Sequence, residues 1–291
     1  MSIDMKNLKL MLVGTSSDAG KSLLTAVIAK HYQERGLRVA PFKAQNMSSR
    51  TARLRGGELI ANSSLWQARA LGLEAEARMN PILLRPCGER RSELFVLGKS
   101  RGELAAREYY TLRDELRPIV MSALESLSAD YDLLVLEGAG SCAEINLLDR
   151  DLVNLPLAKA ADIPAVLVAD IERGGVFAAI YGTWGILPEE LRRQLKAYLI
   201  NRFRGDVSLL EPGLELLKEK LDLPALGVVP YVEACLEPED SLSEDYHRLP
   251  AKLQTASEAE LRRFYDSEFA KARTEIEGNI DFSKLDEIIG L

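Results

Sequence analysis

A mostly parallel α/β sheet with helices on both faces is the fold class this sequence predicts, and three observations predict it. Short continuous apolar runs alternate with stretches of helical spacing across roughly the first 230 residues. A strand that is apolar on both faces is buried on both, as strands are in a parallel sheet between two helical layers. A glycine-rich segment, GTSSDAGKS, stands directly after the first apolar run and directly before the first helical one. The expectation is a P-loop NTPase fold with a C-terminal helical tail.

Leu8–Val13 is the first buried strand, and Lys21–Arg35 follows with helical spacing. Val39–Phe42 is the second strand, and a helix is expected over Glu58–Leu71. The less regular stretch Met79–Gly102 predicts an extra hairpin or a lid, and a further helix is expected over Glu103–Leu127. Asp132–Leu136, Ala165–Ala169, Ala197–Ile200 and Ala225–Val229 complete the set of strands, with helical stretches between them. No internal repeat or low-complexity segment interrupts this order.

After Tyr231 the character changes. LEPEDSLSEDYHRLP is polar, acidic and proline-bearing, as linkers are. Ser257 followed by Glu260 forms a capping-box pattern, and Leu261, Phe264, Tyr265, Phe269 and Ala272 then share one helical face. A short last helix over Phe282–Ile289 offers Leu285, Ile288 and Ile289 for burial. Residues 1–235 are therefore expected to be the phosphate-loop domain, and 236–291 an acidic linker and helical tail that docks back on it.

Composition excludes several function classes. Net charge is −7, but residues 236–291 carry 14 acidic and 7 basic side chains, so the remainder is balanced. A non-specific nucleic-acid binder needs a basic excess, which neither part supplies. No apolar run reaches membrane-spanning length and no signal peptide precedes the first strand, so a cytoplasmic protein is expected. Cys87, Cys142 and Cys235 lie far apart and only His31 and His247 could join them, which argues against a disulfide framework or a zinc site.

In parallel α/β sheets, ligands bind beyond the carboxyl ends of the strands. At the first such end, the backbone N–H groups of a glycine-rich loop and the following helix N-terminus form a phosphate cradle. Gly14, Thr15, Asp18, Ala19, Gly20, Lys21 and Ser22 are thus expected around ATP, with Lys21 on the β/γ-phosphates and Ser22 on Mg²⁺. Five residues rather than the usual four separate Gly14 from Gly20. Lys43 in PFKAQN is a cation where the transferred phosphate would lie. Glu137 in LEGAGS ends a buried strand and suits a Mg²⁺ ligand. Asp170, Arg173 and the glycines of ADIERGG end the next strand, where an arginine can clamp a carboxylate. Asn201 and Arg202 in NRFRGD follow another, placed to read a purine.

GTSSDAGKS, PFKAQNMS, GGELIANSSLWQARALG, MNPILLRP, YDLLVLEGAGSCAEINLLDRDLVN, ADIPAVLVADIERGGVFAAIYGT and NRFRGD together resemble the synthetase domain of the cobyric acid synthase family, from about residue 8 to the EDSL segment ending at Leu242. INLLDRD and DIERGGVFA are not general nucleotide-binding patterns. The five-residue loop spacing is similar to that of the more distant dethiobiotin synthetases. The resemblance implies an ATP-dependent amide ligase of cobalamin biosynthesis: ATP phosphorylates a carboxylate of a cobyrinic acid a,c-diamide, and ammonia displaces the phosphate. It implies Lys21, Lys43 and Glu137 as catalytic groups. It also implies an acceptor side lined by Gln45, Asn46, Glu144, Asn146, Asp149, Arg150, Asp151, Asp170 and Arg173.

Where the family has a proline after the serine of GAGS, this chain has Cys142. With no histidine near it in sequence, a small loop side chain is expected there rather than a nucleophile. The family's glutaminase domain is also not expected, because no Gly-x-Cys-x-Gly elbow occurs and only 49 residues follow Leu242. Ammonia is then expected from solution or a separate glutaminase subunit, and a homodimer is a further expectation. Two alternatives stand beside this: a ligase for another tetrapyrrole or dethiobiotin-like carboxylate, and a partner-binding switch ATPase. Switch ATPases of this kind carry an additional lysine where Thr15 and Ser16 stand and often end in a basic membrane helix, whereas this tail is acidic.

Overall fold

The run LKLMLVG forms β1 (Leu8–Gly14), in which Leu10, Met11, Leu12 and Val13 have no exposed surface. The structure, a computed structural model, describes residues 7–88, 90–234 and 256–291. The other strands are β2 (Val39–Phe42), β3 (Gln45–Met47), β4 (Thr51–Arg53), β5 (Leu59–Ala61), β6 (Ile82–Gly88), β7 (Arg91–Val96), β8 (Lys99–Ala105), β9 (Leu133–Glu137), β10 (Ala165–Asp170), β11 (Leu195–Phe203) and β12 (Ala225–Pro230). The α-helices are α1 (Lys21–Glu34), α2 (Asn62–Ala70), α3 (Ala106–Thr111), α4 (Arg113–Asp130), α5 (Leu155–Ala160), α6 (Val176–Ile186), α7 (Glu189–Arg192), α8 (Glu211–Lys220), α9 (Glu258–Glu277) and α10 (Phe282–Ile289).

Six strands pair in parallel in the order β12-β11-β10-β1-β9-β2. Side chains alternate across a strand, so β1 feeds two cores. Met11 and Val13 pack with Val120, Leu124 and Leu127 of α4 and Ile180 of α6. Leu10 and Leu12 face Leu24, Val27 and Ile28 of α1, Phe269 and Ile276 of α9, and Leu285 and Ile289 of α10. Burying one such side chain fully is worth about 1.5–3 kcal/mol, which is why these strands read as unbroken apolar runs.

A second sheet, β3-β6-β7-β8, and a β4–β5 pair stand beside the first. The irregular stretch over 79–102 supplies most of that second sheet as an antiparallel β6–β7–β8 meander. Two helix boundaries need correction. The helix expected over Glu58–Leu71 begins only at Asn62, because Leu59–Ala61 pairs with Thr51–Arg53 as β5. The helix expected over Glu103–Leu127 is strand to Ala105, pairing with Arg91, then α3, then α4 after a break at Leu112. Long-range pairing overrides local helical spacing at both places.

The tail packs on α1, β1 and β12. Ser257 and Glu260 form the capping box that opens α9, and Phe269 meets Trp66 edge to face at 5.6 Å. Phe282 stacks on His31 at 3.5 Å, and Asp286 accepts from Tyr32 and pairs with Arg35. The expected acidic linker, with Cys235, His247 and the EDSL segment, lies outside the described residues. Among the described residues no helix is long and apolar enough to cross a membrane.

Candidate active site

The carboxyl end of β1 runs straight into the glycine-rich loop. Thr15 N–H still donates to Val168 O of β10 at 3.0 Å, so the loop starts anchored to the sheet. Asp18 (φ 55°) and Gly20 (φ 87°) both turn left-handed, which curls the backbone into α1. Gly20 is the N-cap of α1, with no side-chain cap and no acidic residue in the first turn. That helix end therefore keeps its positive dipole end and its free N–H groups. A Cβ on Gly20 would run into the Asn201 side-chain amide, which donates to Ala19 O at 2.9 Å and ties the loop to β11. Glycine is required there by both conformation and space.

Lys21 folds back over Gly14. Its Nζ donates to Ser16 O at 2.9 Å and Gly140 O at 3.0 Å, bridging the loops after β1 and β9. Burial pushes its pKa below the ordinary lysine value, opposed by the Glu137 charge and reinforced by Lys43. Two backbone carbonyls are weak partners for an ammonium, so the cation is held in place without being neutralised.

Glu137 is the hub. It ends β9 at 2% exposure, and its Oε1 accepts from Ser22 Oγ and from Lys43 Nζ, both at 2.7 Å. Its Oε2 accepts from Gln67 Nε2, also at 2.7 Å. Burial alone would raise this carboxyl's pKa. The Lys43 charge and hydrogen bond, the Ser22 hydroxyl and Lys21 outweigh that, and the group sits below the ordinary carboxylate range. Lys43 follows β2, and Asn80 Nδ2 holds its carbonyl at 3.1 Å. Two cations, one carboxylate and one hydroxyl thus meet at the ends of three adjacent strands.

The other candidates divide. Arg202, at φ 62°, reaches Asp170 Oδ2 at 2.9 Å, while Asp170 Oδ1 accepts from Glu172 N–H. Of the β3 residues, Gln45 Oε1 accepts from Tyr109 of α3 and Asn46 donates to Ser63 at 2.8 Å, while Arg150, on the turn over 148–150, lies over the Tyr110 ring at 5.1 Å. Burial, with the nearby Asp151 charge, raises the Tyr109 phenol well above its usual pKa. Asp151 uses both oxygens to shape the turn into α5, accepting from Val153 N–H, Asn154 N–H and the Asn154 amide. Glu144, Asn146 and Asp149 are exposed and not gathered with the Glu137 cluster, and Arg173 is exposed on the turn before α6. Cys142 is buried beneath the phosphate loop, donating its N–H to Gly14 O, and burial pushes its thiol up to about 12. A thiol so protonated is no nucleophile at neutral pH.

Residues 10–242 match the family model described as the CobQ/CobB/MinD/ParA nucleotide binding domain. The chain belongs to that family. Within the CobQ/CobB/MinD/ParA family it is similar to proteins called cobyric acid synthase. That from Listeria innocua is 46% identical over 235 residues, covering 81% of this chain and 46% of the relative. That from Sorangium cellulosum is 49% identical over 246 residues, covering 84% and 47%. That from Photorhabdus laumondii is 45% identical over 236 residues, covering 81% and 46%. The chain thus spans about half the length of the relatives it matches.

Every group in the Glu137 cluster falls inside the matched span, and three of its supports, Asn80 among them, were not singled out from the sequence. Gln67 lies in GGELIANSSLWQARALG and Asn154 in INLLDRDLVN, so both sat in segments that carry the resemblance. Asn154 brackets Ala139, accepting from its N–H at 3.1 Å and donating to its carbonyl at 2.9 Å. Gly138 is needed beside it, because a Cβ there would strike the Asn154 side-chain oxygen. A neutral amide in a long-range contact leaves no local pattern in sequence; only its position inside those segments could have flagged it.

Proposed function

We propose that this chain is the ATP-using, amide-forming half of a cobyric acid synthase-type enzyme, acting on carboxylates of a corrinoid such as cobyrinic acid a,c-diamide. The observation that carries the proposal is the buried Lys43–Glu137–Ser22 cluster beside Lys21, in a chain 45–49% identical to cobyric acid synthases over the span that builds it. The first step is attack of a substrate carboxylate oxygen on the γ-phosphorus of ATP, breaking the bond to ADP. The second is attack of ammonia on the acyl carbon, breaking the C–O bond and releasing phosphate, with the surplus ammonium proton lost to solvent.

Bringing a carboxylate to a triphosphate sets two anions together, so the chemistry needs preorganised positive charge. Lys21 and Lys43, both within electrostatic reach of Glu137, supply it. The N–H groups opening α1 receive the phosphates. Asn201 and Arg202, at the end of β11, border the nucleotide base. Ser22 Oγ and the Glu137 carboxylate fit a Mg²⁺ ion by the chemistry of the donor set: hard oxygen donors, one of them charged, with phosphates and water left to complete the shell. When bound, Mg²⁺ would neutralise charge on the phosphates. Gln45, Asn46, Asp170, Arg150 and Arg173 are assigned to the acceptor side, together with the exposed Glu144, Asn146 and Asp149. Ammonia reaches the site from solution or from a glutaminase.

With ATP, Mg²⁺ and an ammonium salt, a corrinoid bearing free carboxylates is expected to stimulate ADP release and gain an amide mass. The dethiobiotin precursor is expected to do neither. Turnover with that precursor and none with the corrinoid would reassign the substrate and leave only the nucleotide site.

A further inference from the structure

We infer that Gln67 is a positioning residue of this site, whose amide locks the Glu137 carboxylate to the backbone of Ser22 and so keeps the two cation-binding oxygens together. The inference rests on the nucleotide and Mg²⁺ reading given above. Gln67 stands on α2 at 1% exposure. Its Nε2 donates to Glu137 Oε2 at 2.7 Å and to the Ser22 carbonyl at 3.2 Å. Those acceptors belong to β9 and α1, so one NH₂ group joins three elements.

A primary amide suits this task for a physical reason. It carries two N–H donors in one plane and no charge. A lysine would add a third ammonium beside Lys21 and Lys43, and a glutamate would set a second carboxylate against Glu137. An aliphatic side chain would leave Glu137 Oε2 short of a donor where water is excluded, and the carboxylate would rearrange to find one. Lys43 and Ser22 both engage Oε1, so the contact to Oε2 fixes the carboxylate's rotation about its last bond. The helix beneath is held in turn: Trp66 is buried against Phe269, and Ala68 has no exposed surface. Gln67 touches neither phosphate nor acceptor in this account. It acts through Glu137.

The test separates metal binding from nucleotide binding. Gln67→Met keeps the length and removes both donors. Gln67→Asn keeps the amide but is one methylene too short to span both acceptors. Ser64→Ala, on the same helix with its hydroxyl unpartnered, controls for disturbance of α2. ATP affinity is measured by calorimetry in EDTA and again in saturating Mg²⁺, and Mn²⁺ binding with ADP present is followed by electron paramagnetic resonance. Parent and Ser64→Ala are expected to bind ATP more tightly once Mg²⁺ is added. Both Gln67 variants should match the parent in EDTA and lose about tenfold or more of the metal-dependent tightening and of Mn²⁺ affinity, the usual scale for a residue that orients a ligand. A folded Gln67 variant with parent-like metal dependence overturns the inference. A parent with no metal dependence overturns the Mg²⁺ reading of Ser22 and Glu137, and this inference with it.

Discussion

Lys21→Ala leaves a folded protein that binds nucleotide weakly and scarcely turns ATP over. The loop does not depend on this side chain for its course. Thr15 N–H to Val168 O, Leu24 N–H to Gly20 O and Cys142 N–H to Gly14 O remain in place without it. What is lost is the ammonium held over Gly14, the cation nearest the phosphate cradle. Removing one charge partner of a transition state costs on the order of 3 kcal/mol, at least about a hundredfold in rate. Far-ultraviolet circular dichroism should match the parent while steady-state ADP release falls by that factor. ATP turnover at the parent rate would remove the phosphate-loop assignment.

Glu137→Gln has a different signature, because the residue is both hub and proposed metal ligand. The exchange keeps the shape but gives the side chain one acceptor and one donor end. Lys43, Ser22 and Gln67 all donate to position 137, so at least one donor must then face another. Lys43, at 9% exposure, also loses the charge 2.7 Å away that balances it. Breaking one side of a buried pair costs about 3–5 kcal/mol. The melting temperature should fall by several degrees, and Mg²⁺-dependent turnover at permissive temperature should drop by about a hundredfold or more. ATP affinity in EDTA should change far less. Parent-like activity at limiting Mg²⁺ would place the metal elsewhere.

The fold was legible where burial makes sequence monotonous. Runs such as Ala165–Ala169 and Leu133–Leu136 are apolar throughout because both faces of the sheet are covered. The three-residue strands β3, β4 and β5 carry too little pattern to stand out, and β5 was absorbed into the helix that follows it. Only pairing across the hairpin, Ala52 against Ile60, separates them. Likewise Glu103–Ala105 reads as the start of a helix until β7 is set beside it.

At the site, the glycine-rich loop and the charged strand ends could be placed from sequence because strand ends in a parallel sheet converge. Lys43 and Glu137 are 94 residues apart in the chain and 2.7 Å apart in space, since β2 and β9 are neighbours in the sheet. Gln67, Asn80 and Asn154 could not be placed this way. Each is a neutral amide whose role is a contact with a distant backbone or carboxylate, and such contacts follow the packing of helices and loops rather than any local spacing.

The central claim, that the carboxylate oxygen of the acceptor is phosphorylated before nitrogen arrives, is open to one direct measurement. A corrinoid whose free carboxylates carry ¹⁸O is incubated with ATP, Mg²⁺, ammonium and the protein, and the released phosphate is analysed by mass. Attack on the γ-phosphorus followed by cleavage of the C–O bond predicts one labelled oxygen in inorganic phosphate for each amide formed. Amide formed with unlabelled phosphate, or with the label in AMP, contradicts the account.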